Sequence, residues 1–244
     1  MNFLIIVQAR MGSSRLPRKM ISLIGNELMI EVILKRLLKE FHKDEIILAT
    51  SVSTPNEILV SEAKKLGVKS FIGSEENVLS RFVEIAKSSK AKYIVRITGD
   101  SPLVEANIIK EGLEQITKTN YDYISTTLDE TFPIGIHVEI FRGELLKNLD
   151  MKNISDSSFE HVTPFIYNNK NIKKSLINTK HKYPEGRYTV DFKEDINFLS
   201  ELVNVANIKL SDISPKMLRK ISKEFPKIFK INSMIKKDRI IKNL

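Results

Sequence analysis

Short apolar runs alternate with amphipathic segments along the first half of the chain. The apolar runs, which predict strands, are 3–7, 45–49, 69–72 and 93–97, and the first of these is expected to be buried. The segments with apolar residues at helical spacing are 27–41, 54–66 and 75–87. In the second of these, Thr54, Pro55 and Glu57 supply an N-cap, a first-turn proline and a capping-box glutamate. Strands that alternate with helices predict βα units and a parallel sheet.

The pattern changes in the second half of the chain. Apolar runs that predict strands there are 121–125, 136–141, 172–178 and 187–190. A helix is expected near 157–168, between them. The fold class expected is therefore α/β, a mixed but mainly parallel sheet flanked by helices.

Composition excludes several kinds of chemistry. The chain has 244 residues and no cysteine, so disulfides, thiolate zinc sites and cysteine nucleophiles are ruled out. The N-terminal apolar run of residues 3–7 is too short for a signal peptide or a membrane span. We therefore expect a cytoplasmic protein that does not enter a membrane.

Most of the net charge of +9 lies at the C-terminus. Residues 214–244 carry ten basic and two acidic residues, 10 − 2 = +8, and residues 1–213 carry 29 and 28, a net of +1. Apolar residues are interleaved with the C-terminal charges. We expect one domain over 1–213 and an amphipathic segment over 214–244 docked on it, with no nucleic-acid partner; a polyanion-binding surface is the alternative.

The loop that follows the first strand has the sequence QARMGSSRLPRK, residues 8–19. Ligands of open α/β sheets bind beyond the carboxyl ends of the strands, where this loop lies. Backbone amides, hydroxyls and guanidinium groups that converge on one point make an anion site, and a nucleotide triphosphate suits it best. A solvated basic loop is the alternative, and neither G-x-x-x-x-G-K-[ST] nor G-x-G-x-x-G occurs.

Two aspartates end short apolar segments, Asp100 after residues 93–98 and Asp191 after 187–190. A carboxylate at the tip of a parallel strand can hold a divalent cation beside bound phosphates, although Asp100 could instead be a turn or N-cap residue. If the two share Mg²⁺, they lie within about 4 to 6 Å of each other. Their repulsion should then raise the pKa of at least one, and asparagine at either position should leave the apoprotein as stable as before or slightly more stable.

These segments together resemble the acylneuraminate cytidylyltransferase family, in its spore-coat polysaccharide branch. The tracts that carry the resemblance are QARMGSSRLPRK, YIVRITGDSPL, GIHVEIF, EHVTPFI, RYTVDFKEDINFL and KEFPKIFKINSMIKK. Relatives in this family activate keto-deoxyoctulosonate and sialic acids with CTP. The resemblance implies a single nucleotidyltransferase domain of the nucleotide-diphospho-sugar transferase type (GT-A), a homodimer, and transfer of CMP from CTP to a sugar with release of pyrophosphate.

The resemblance also implies roles for particular residues. Those carried over to the triphosphate loop are Arg10, Gly12, Ser13, Ser14, Arg15 and Lys19. Ala9 would meet the base through its backbone, and Thr98 belongs to the nucleotide-binding run. Asp100 and Asp191 match magnesium ligands, and Arg15, Lys19 and Asp100 are the expected catalytic residues. His137, Glu139, His161 and Arg187 are expected on the acceptor-sugar side.

Several positions depart from the family pattern. They are Arg18 in place of glycine, Asn77 and Ser80 in place of aspartates, His137 in place of aspartate, and Phe159 in place of arginine. None of these removes a phosphate or metal ligand, and they cluster around the expected acceptor side, so the sugar is left open; His137 could also be a hydrogen-bonded strand residue. A glycosyltransferase of related fold is the alternative enzyme, although the chain contains no Asp-x-Asp tripeptide.

Overall fold

A computed structural model describes residues 2–129 and 131–235. The strands are β1 (Phe3–Gln8), β2 (Leu23–Ile24), β3 (Glu27–Leu28), β4 (Ile46–Ser51), β5 (Lys69–Gly73), β6 (Tyr93–Thr98), β7 (Tyr123–Ser125), β8 (Glu139–Arg142) and β9 (Lys174–Leu176). The helices are α1 (Met29–Leu38), α2 (Glu57–Lys65), α3 (Val78–Ser88), α4 (Ala106–Lys118), α5 (Glu144–Lys147), α6 (Asp156–His161), α7 (Pro164–Tyr167), α8 (Lys193–Ala206) and α9 (Pro215–Glu224).

The main sheet is mixed, with strand order β5-β4-β1-β6-β8-β7-β9. β1 pairs in parallel with β4 and β6, β4 with β5, and β7 with β9, while β8 is antiparallel to both of its neighbours. This confirms the predicted mainly parallel α/β fold. Because the chain runs from β1 outward to β4 and β5 and then returns to β6 on the other side of β1, the crevice at the carboxyl ends of β1 and β6 is the ligand position expected for such sheets.

Both faces of the sheet are covered by helices. In β1, Ile5 and Val7 face one hydrophobic cluster, and Leu4 and Ile6 face the other. The first cluster contains apolar residues of α1, α2, α4, α8 and α9, and the second contains those of α3, α5 and α7. Burial on both sides explains why this strand is a continuous apolar run in the sequence.

Three of the predicted helices begin later than expected. The segment 27–41 is helical only from Met29, because Glu27 belongs to the short β2–β3 hairpin that turns at Gly25 (φ 62°). Residues 54–56 form a 3₁₀ turn, and the α-helix starts at Glu57, with Asn56 in the N-cap position. α3 starts at Val78, where Asn77 Oδ1 accepts a hydrogen bond from the Ser80 N–H at 2.9 Å.

Two predictions for the second half are wrong. Residues 187–190 make an isolated bridge from Arg187 to Ile134 instead of a strand, because the Val190 N–H donates to the Asp100 carbonyl. The helix expected near 157–168 is divided into α6 and α7. Pro164 has no N–H to continue a helix, and it opens α7.

The C-terminal segment packs on the domain over its described part. Ser214 caps α9, whose Leu218 and Ile221 are buried in the first hydrophobic cluster. Beyond it, Phe229 contacts Phe198 of α8 with ring centroids 5.4 Å apart. Residues 236–244 of the expected segment lie outside the described residues. Within the described ranges, no helix is both long enough and apolar enough to cross a bilayer.

Candidate active site

The loop after β1 is held at its N-terminal end by hydrogen bonds to the segments around Ala49 and Asn56. The Ala9 N–H donates to the Ala49 carbonyl at 3.2 Å, and the Met11 N–H donates to Asn56 Oδ1 at 2.8 Å. The Met11 carbonyl accepts from the N–H groups of Ser13 and Arg18, so the loop folds back on itself. Gly12 and Ser14 are exposed and Ser13 is half-buried. The small residues therefore leave the middle of the loop open to solvent.

Three cations of the site surround the Asp191 carboxylate. Oδ1 lies 3.1 Å from Lys19 Nζ and 3.2 Å from Arg15 Nη2. Oδ2 accepts from Arg187 Nη2 at 3.0 Å, and Lys19 Nζ also donates to the Val190 carbonyl at 2.7 Å. The sequence-predicted residues Arg15, Lys19 and Asp191 are thus brought together, although 171 positions or more separate the loop from this segment.

The backbone of Asp100 is hydrogen-bonded to the segment that precedes Asp191. Its carbonyl accepts from the Val190 N–H at 2.9 Å and from Thr189 Oγ1 at 3.1 Å. Gly99 allows the strand ends to approach, because a Cβ there would lie 2.8 Å from the Gln8 carbonyl oxygen. Asp100 and the segment that ends in Asp191 therefore meet at the carboxyl ends of β1 and β6.

The electrostatic environment of Asp100 favours its charged form. Burial raises the pKa of this carboxyl, but the charge of Lys19, hydrogen bonds with Thr98 and Ser101 and the charge of His137 together lower it below the ordinary value. The expectation that the pKa of one of the two aspartates would be raised is therefore wrong for Asp100. The pKa is lowered because the charge of Lys19 and the hydrogen-bond donors together have a larger effect than desolvation.

Arg10 lies on the other side of the loop from this cluster. Its guanidinium is 3.8 Å from the Glu75 carboxylate and 3.5 Å from that of Glu160 at the end of α6. Glu75 in turn accepts a hydrogen bond from Ser51 Oγ at 2.7 Å, and this bond lowers the pKa of Glu75. Arg10 is therefore oriented by carboxylates of two separate segments, and neither Glu75 nor Glu160 is among the predicted site residues.

On the expected acceptor side, the carboxylate of Glu139 is buried and accepts hydrogen bonds from four side chains. Its carboxylate accepts from Tyr123 OH and Thr163 Oγ1, both at 2.7 Å, and from Tyr167 OH and the Arg96 guanidinium. Burial raises its pKa, but Arg96 and the hydroxyl donors lower it overall. The donors on this carboxylate all belong to the protein, and they hold α7 against β8.

His161 lies next to a strained turn. Val162, which is buried, has φ 68° and ψ −53°, and the Thr163 N–H donates to the His161 carbonyl at 2.8 Å. This is a γ-turn of the rare, strained kind, in a β-branched residue. Strained backbone of this sort persists where surrounding contacts over-determine it, and it clusters at functional sites. The Glu139 network supplies those contacts through Thr163.

The remaining acceptor-side residues are placed differently from one another. His137 is half-buried, and its Nε2 accepts from the Gly135 N–H at 3.3 Å. Arg187 is buried, with Nε 2.9 Å from Asp195 Oδ1 in addition to its contact with Asp191. Arg187 thus links Asp191 to Asp195. Asn77 and Ser80 form the N-cap of α3.

Sequence reasoning missed Asp195 and Asn232. Asp195 Oδ2 accepts from the N–H groups of Asp191 and Phe192, at 2.9 and 3.0 Å, and Asn232 Nδ2 donates to Asp195 Oδ1 at 2.9 Å. An acidic residue in the first turn of a helix is a recognisable signal, and it could have revealed Asp195. Nothing local marks Asn232, whose partners lie 37 and 45 positions away.

The donor set is compatible with a divalent cation held partly by substrate. Among the described residues there is no group of three or more His, Asp and Glu that could hold a metal alone. Mg²⁺ commonly takes one or two carboxylates and completes its shell with phosphate oxygens and water. Asp100 and Asp191 fit that pattern, because both are carboxylates at the same edge of the sheet.

The comparisons with known proteins agree with this geometry. A family model described as cytidylyltransferase matches residues 4–227. The chain is 34% identical to the uncharacterized protein MJ1063 of Methanocaldococcus jannaschii, over 95% of this chain and 94% of that one. It is 30% identical to the spore coat polysaccharide biosynthesis protein SpsF of Bacillus subtilis, over 84% and 88%.

A solved structure of a cytidylyltransferase from Leptospira borgpetersenii superposes with a TM-score of 0.87 at 27% identity, covering 97% of this chain and 100% of that one. The family model also spans the loop after β1, both aspartates and the start of the C-terminal segment. The chain therefore belongs to the cytidylyltransferase family and is a nucleotidyltransferase.

Proposed function

We propose that the enzyme transfers CMP from CTP to an acidic keto-sugar, with release of pyrophosphate, in the synthesis of a surface polysaccharide. The observation that carries the proposal is the group of Arg15, Lys19 and Asp191 beside Asp100, at the crevice where this fold binds ligands. The name of the Bacillus relative supports the polysaccharide context.

The reaction requires an acceptor oxygen to attack the α-phosphorus in line while pyrophosphate leaves. Positioning and neutralisation of charge supply most of the catalysis in such transfers. Lys19 and Arg15 are already aligned by Asp191, so they can exchange a carboxylate partner for the β- and γ-phosphates as the nucleotide binds. Asp100 and Asp191 would hold Mg²⁺, which neutralises phosphate charge when bound.

The base would lie beside Ala9, whose backbone is paired with β4. The Ala9 N–H is committed to Ala49, so a backbone contact with the base would use the Ala9 carbonyl. The acceptor would enter near His161 and His137. Both are half-buried, whereas Glu139 and Arg187 are buried supports.

The test is a pyrophosphate-release assay with CTP, Mg²⁺ and a panel of keto-sugar acids, with UTP and ATP as matched donors. We expect release with CTP and at least one sugar acid. Lys19→Ala should lower CTP affinity at least about tenfold, because it removes a charge-assisted contact of about 1.5 to 3 kcal/mol. Calorimetry that shows equal CTP binding in wild type and Lys19→Ala would refute the assignment of the loop.

A further inference from the structure

Arg18 has an unusual backbone conformation within the triphosphate loop. Its φ is 62° and its ψ is 17°, in the left-handed region that glycine adopts without penalty. The Arg18 N–H donates to the Met11 carbonyl at 3.1 Å, and its carbonyl accepts from the Ile21 N–H at 3.0 Å. These two bonds determine the turn, and neither needs a side chain at this position.

The side chain itself contributes nothing visible to the fold. Arg18 is exposed, and within the described parts of the chain its guanidinium takes part in no hydrogen bond or ion pair. Arginine therefore occupies a position where glycine would be more stable, without a compensating contact. A local rule broken without a structural gain is expected mainly at functional positions.

The position also has the right charge for a phosphate ligand. Its neighbour Lys19 is bound to Asp191 at 3.1 Å, and Arg15 is bound to the same carboxylate at 3.2 Å. Arg18 thus adds a cation that is not neutralised by the protein to a loop that faces a ligand of up to four negative charges. Planar guanidinium groups suit phosphate oxygens through paired hydrogen bonds.

We propose that Arg18 is a further nucleotide-binding residue, which contacts the terminal phosphates that leave as pyrophosphate. This inference rests on the proposed function, because it takes CTP as the ligand of the loop. Arg18 is more exposed than Lys19, which suits the end of the triphosphate nearest to solvent. The chain then retains a less stable loop in exchange for phosphate affinity.

Three substitutions separate the side-chain charge from the backbone effect. Arg18→Lys keeps the charge, Arg18→Ala removes the charge but keeps a Cβ, and Arg18→Gly removes both. We expect Arg18→Ala and Arg18→Gly to weaken CTP binding equally, by about three- to tenfold, and Arg18→Lys to lose less. Only Arg18→Gly should raise the Tm, by about 2 to 4 °C, because glycine relieves the left-handed strain.

Two controls locate the effect. Inorganic tripolyphosphate should show the same loss of affinity in Arg18→Ala, whereas CMP should show none. Asn207 is exposed and also left-handed, with φ 52°, at the opposite end of α8 from Asp191. Asn207→Gly should therefore leave CTP affinity unchanged whatever its effect on Tm.

Calorimetry with these probes decides the matter. CTP affinity equal to wild type in Arg18→Ala would overturn the proposal, and so would a loss confined to Arg18→Gly, which would indicate a change of loop conformation. If the wild type bound no CTP, the proposed function would fail. In that case tripolyphosphate would test Arg18 separately. Weaker tripolyphosphate binding in Arg18→Ala than in wild type would support a role of Arg18 in phosphate binding, and equal binding would overturn it.

Discussion

At the scale of single residues, the site is organised around the Asp191 carboxylate. Lys19, Arg15 and Arg187 lie 3.1, 3.2 and 3.0 Å from it. Such an arrangement orients the phosphate-binding cations before the nucleotide arrives, which reduces the reorganisation needed during the reaction. It also makes Asp191 a structural residue in the apoprotein, in addition to a candidate metal ligand.

Asp191→Asn should therefore destabilise the apoprotein, contrary to the expectation from mutual repulsion of two carboxylates. The substitution leaves three cations without their shared partner, and Asp191 and Arg187 are both buried. Removing one member of a buried ion pair costs about 3 to 5 kcal/mol, and the exposure of Arg15 places this case near the lower value. Urea unfolding without nucleotide or metal measures the loss.

Asp44→Asn is the matched control for that experiment. Asp44 is paired with Lys69 at 3.0 Å on the exposed surface, where ion pairs contribute little. Its substitution should leave the unfolding midpoint nearly unchanged. An Asp191→Asn protein as stable as the Asp44→Asn protein would show that the three cations do not depend on Asp191.

At the scale of elements, the C-terminal segment contacts the residues that hold Asp191 in place. Asn232 is buried and donates Nδ2 to both the Arg187 carbonyl and Asp195 Oδ1, each at 2.9 Å. Asp195 in turn holds Arg187, which contacts Asp191. Residues beyond α9 therefore support the carboxylate that faces the triphosphate loop, which agrees with a docked segment better than with a solvated arm.

Truncation after Ile213 should lower the Tm or cause aggregation. It removes Leu218, Ile221 and Phe229 and exposes the apolar surface of α8 that they cover. Differential scanning calorimetry measures the change.

Asn232→Ala is a milder variant of the truncation. It should lower the free energy of unfolding by about 1 to 2 kcal/mol while leaving the apolar surface of α8 covered. Unchanged melting of the truncated protein, with loss of RNA or DNA binding, would instead indicate a polyanion-binding arm.

Of the first four parallel strands, β1, β4 and β6 could be predicted from sequence because they are largely buried on both faces, whereas the edge strand β5 is partly exposed. Continuous apolar runs, separated by helical periodicity, are sufficient to place β1, β4, β5 and β6 within a few residues. A strand was also predicted at 187–190, but the Val190 N–H there pairs with the Asp100 carbonyl, across 90 positions. A partner so distant is not visible in a local pattern.

The candidate site, like the fold, could be predicted only in part from the sequence. The loop 8–19 and Asp100 follow from the ends of β1 and β6, whereas Asp191 was selected as the end of a strand that the structure does not form, although it does lie in the site. The sequence shows that Glu139 and Arg187 are charged, but not that they are buried. Their partners, Thr163 and Asp195 among others, are assembled by the fold, and only the structure shows that these two residues support the site.

At the scale of the whole molecule, the distribution of charge separates the enzyme from a general polyanion binder. Residues 1–213 are nearly neutral, 29 − 28 = +1, whereas 214–244 carry 10 − 2 = +8. The cations Arg10, Arg15 and Lys19 of the active site lie in the nearly neutral part and are paired with aspartate or glutamate. A nucleotide must therefore be recognised by local geometry, while a long polyanion would be attracted to the C-terminal segment.

CTP should consequently stabilise the protein more than a polyanion does. A ligand that binds only the native state adds about 2.7 kcal/mol at a concentration of 100 times its Kd, which for a chain of this size raises the Tm by roughly 5 to 10 °C. We expect this shift in Tm with CTP and Mg²⁺, a smaller shift with UTP, and the loss of most of the CTP shift in Lys19→Ala.

Heparin binding, by contrast, should fall steeply as the salt concentration is raised towards 1 M, because contacts between exposed charges are screened by salt. A Tm that responds to heparin but not to CTP, with the response abolished by truncation after Ile213, would favour polyanion binding over nucleotide binding.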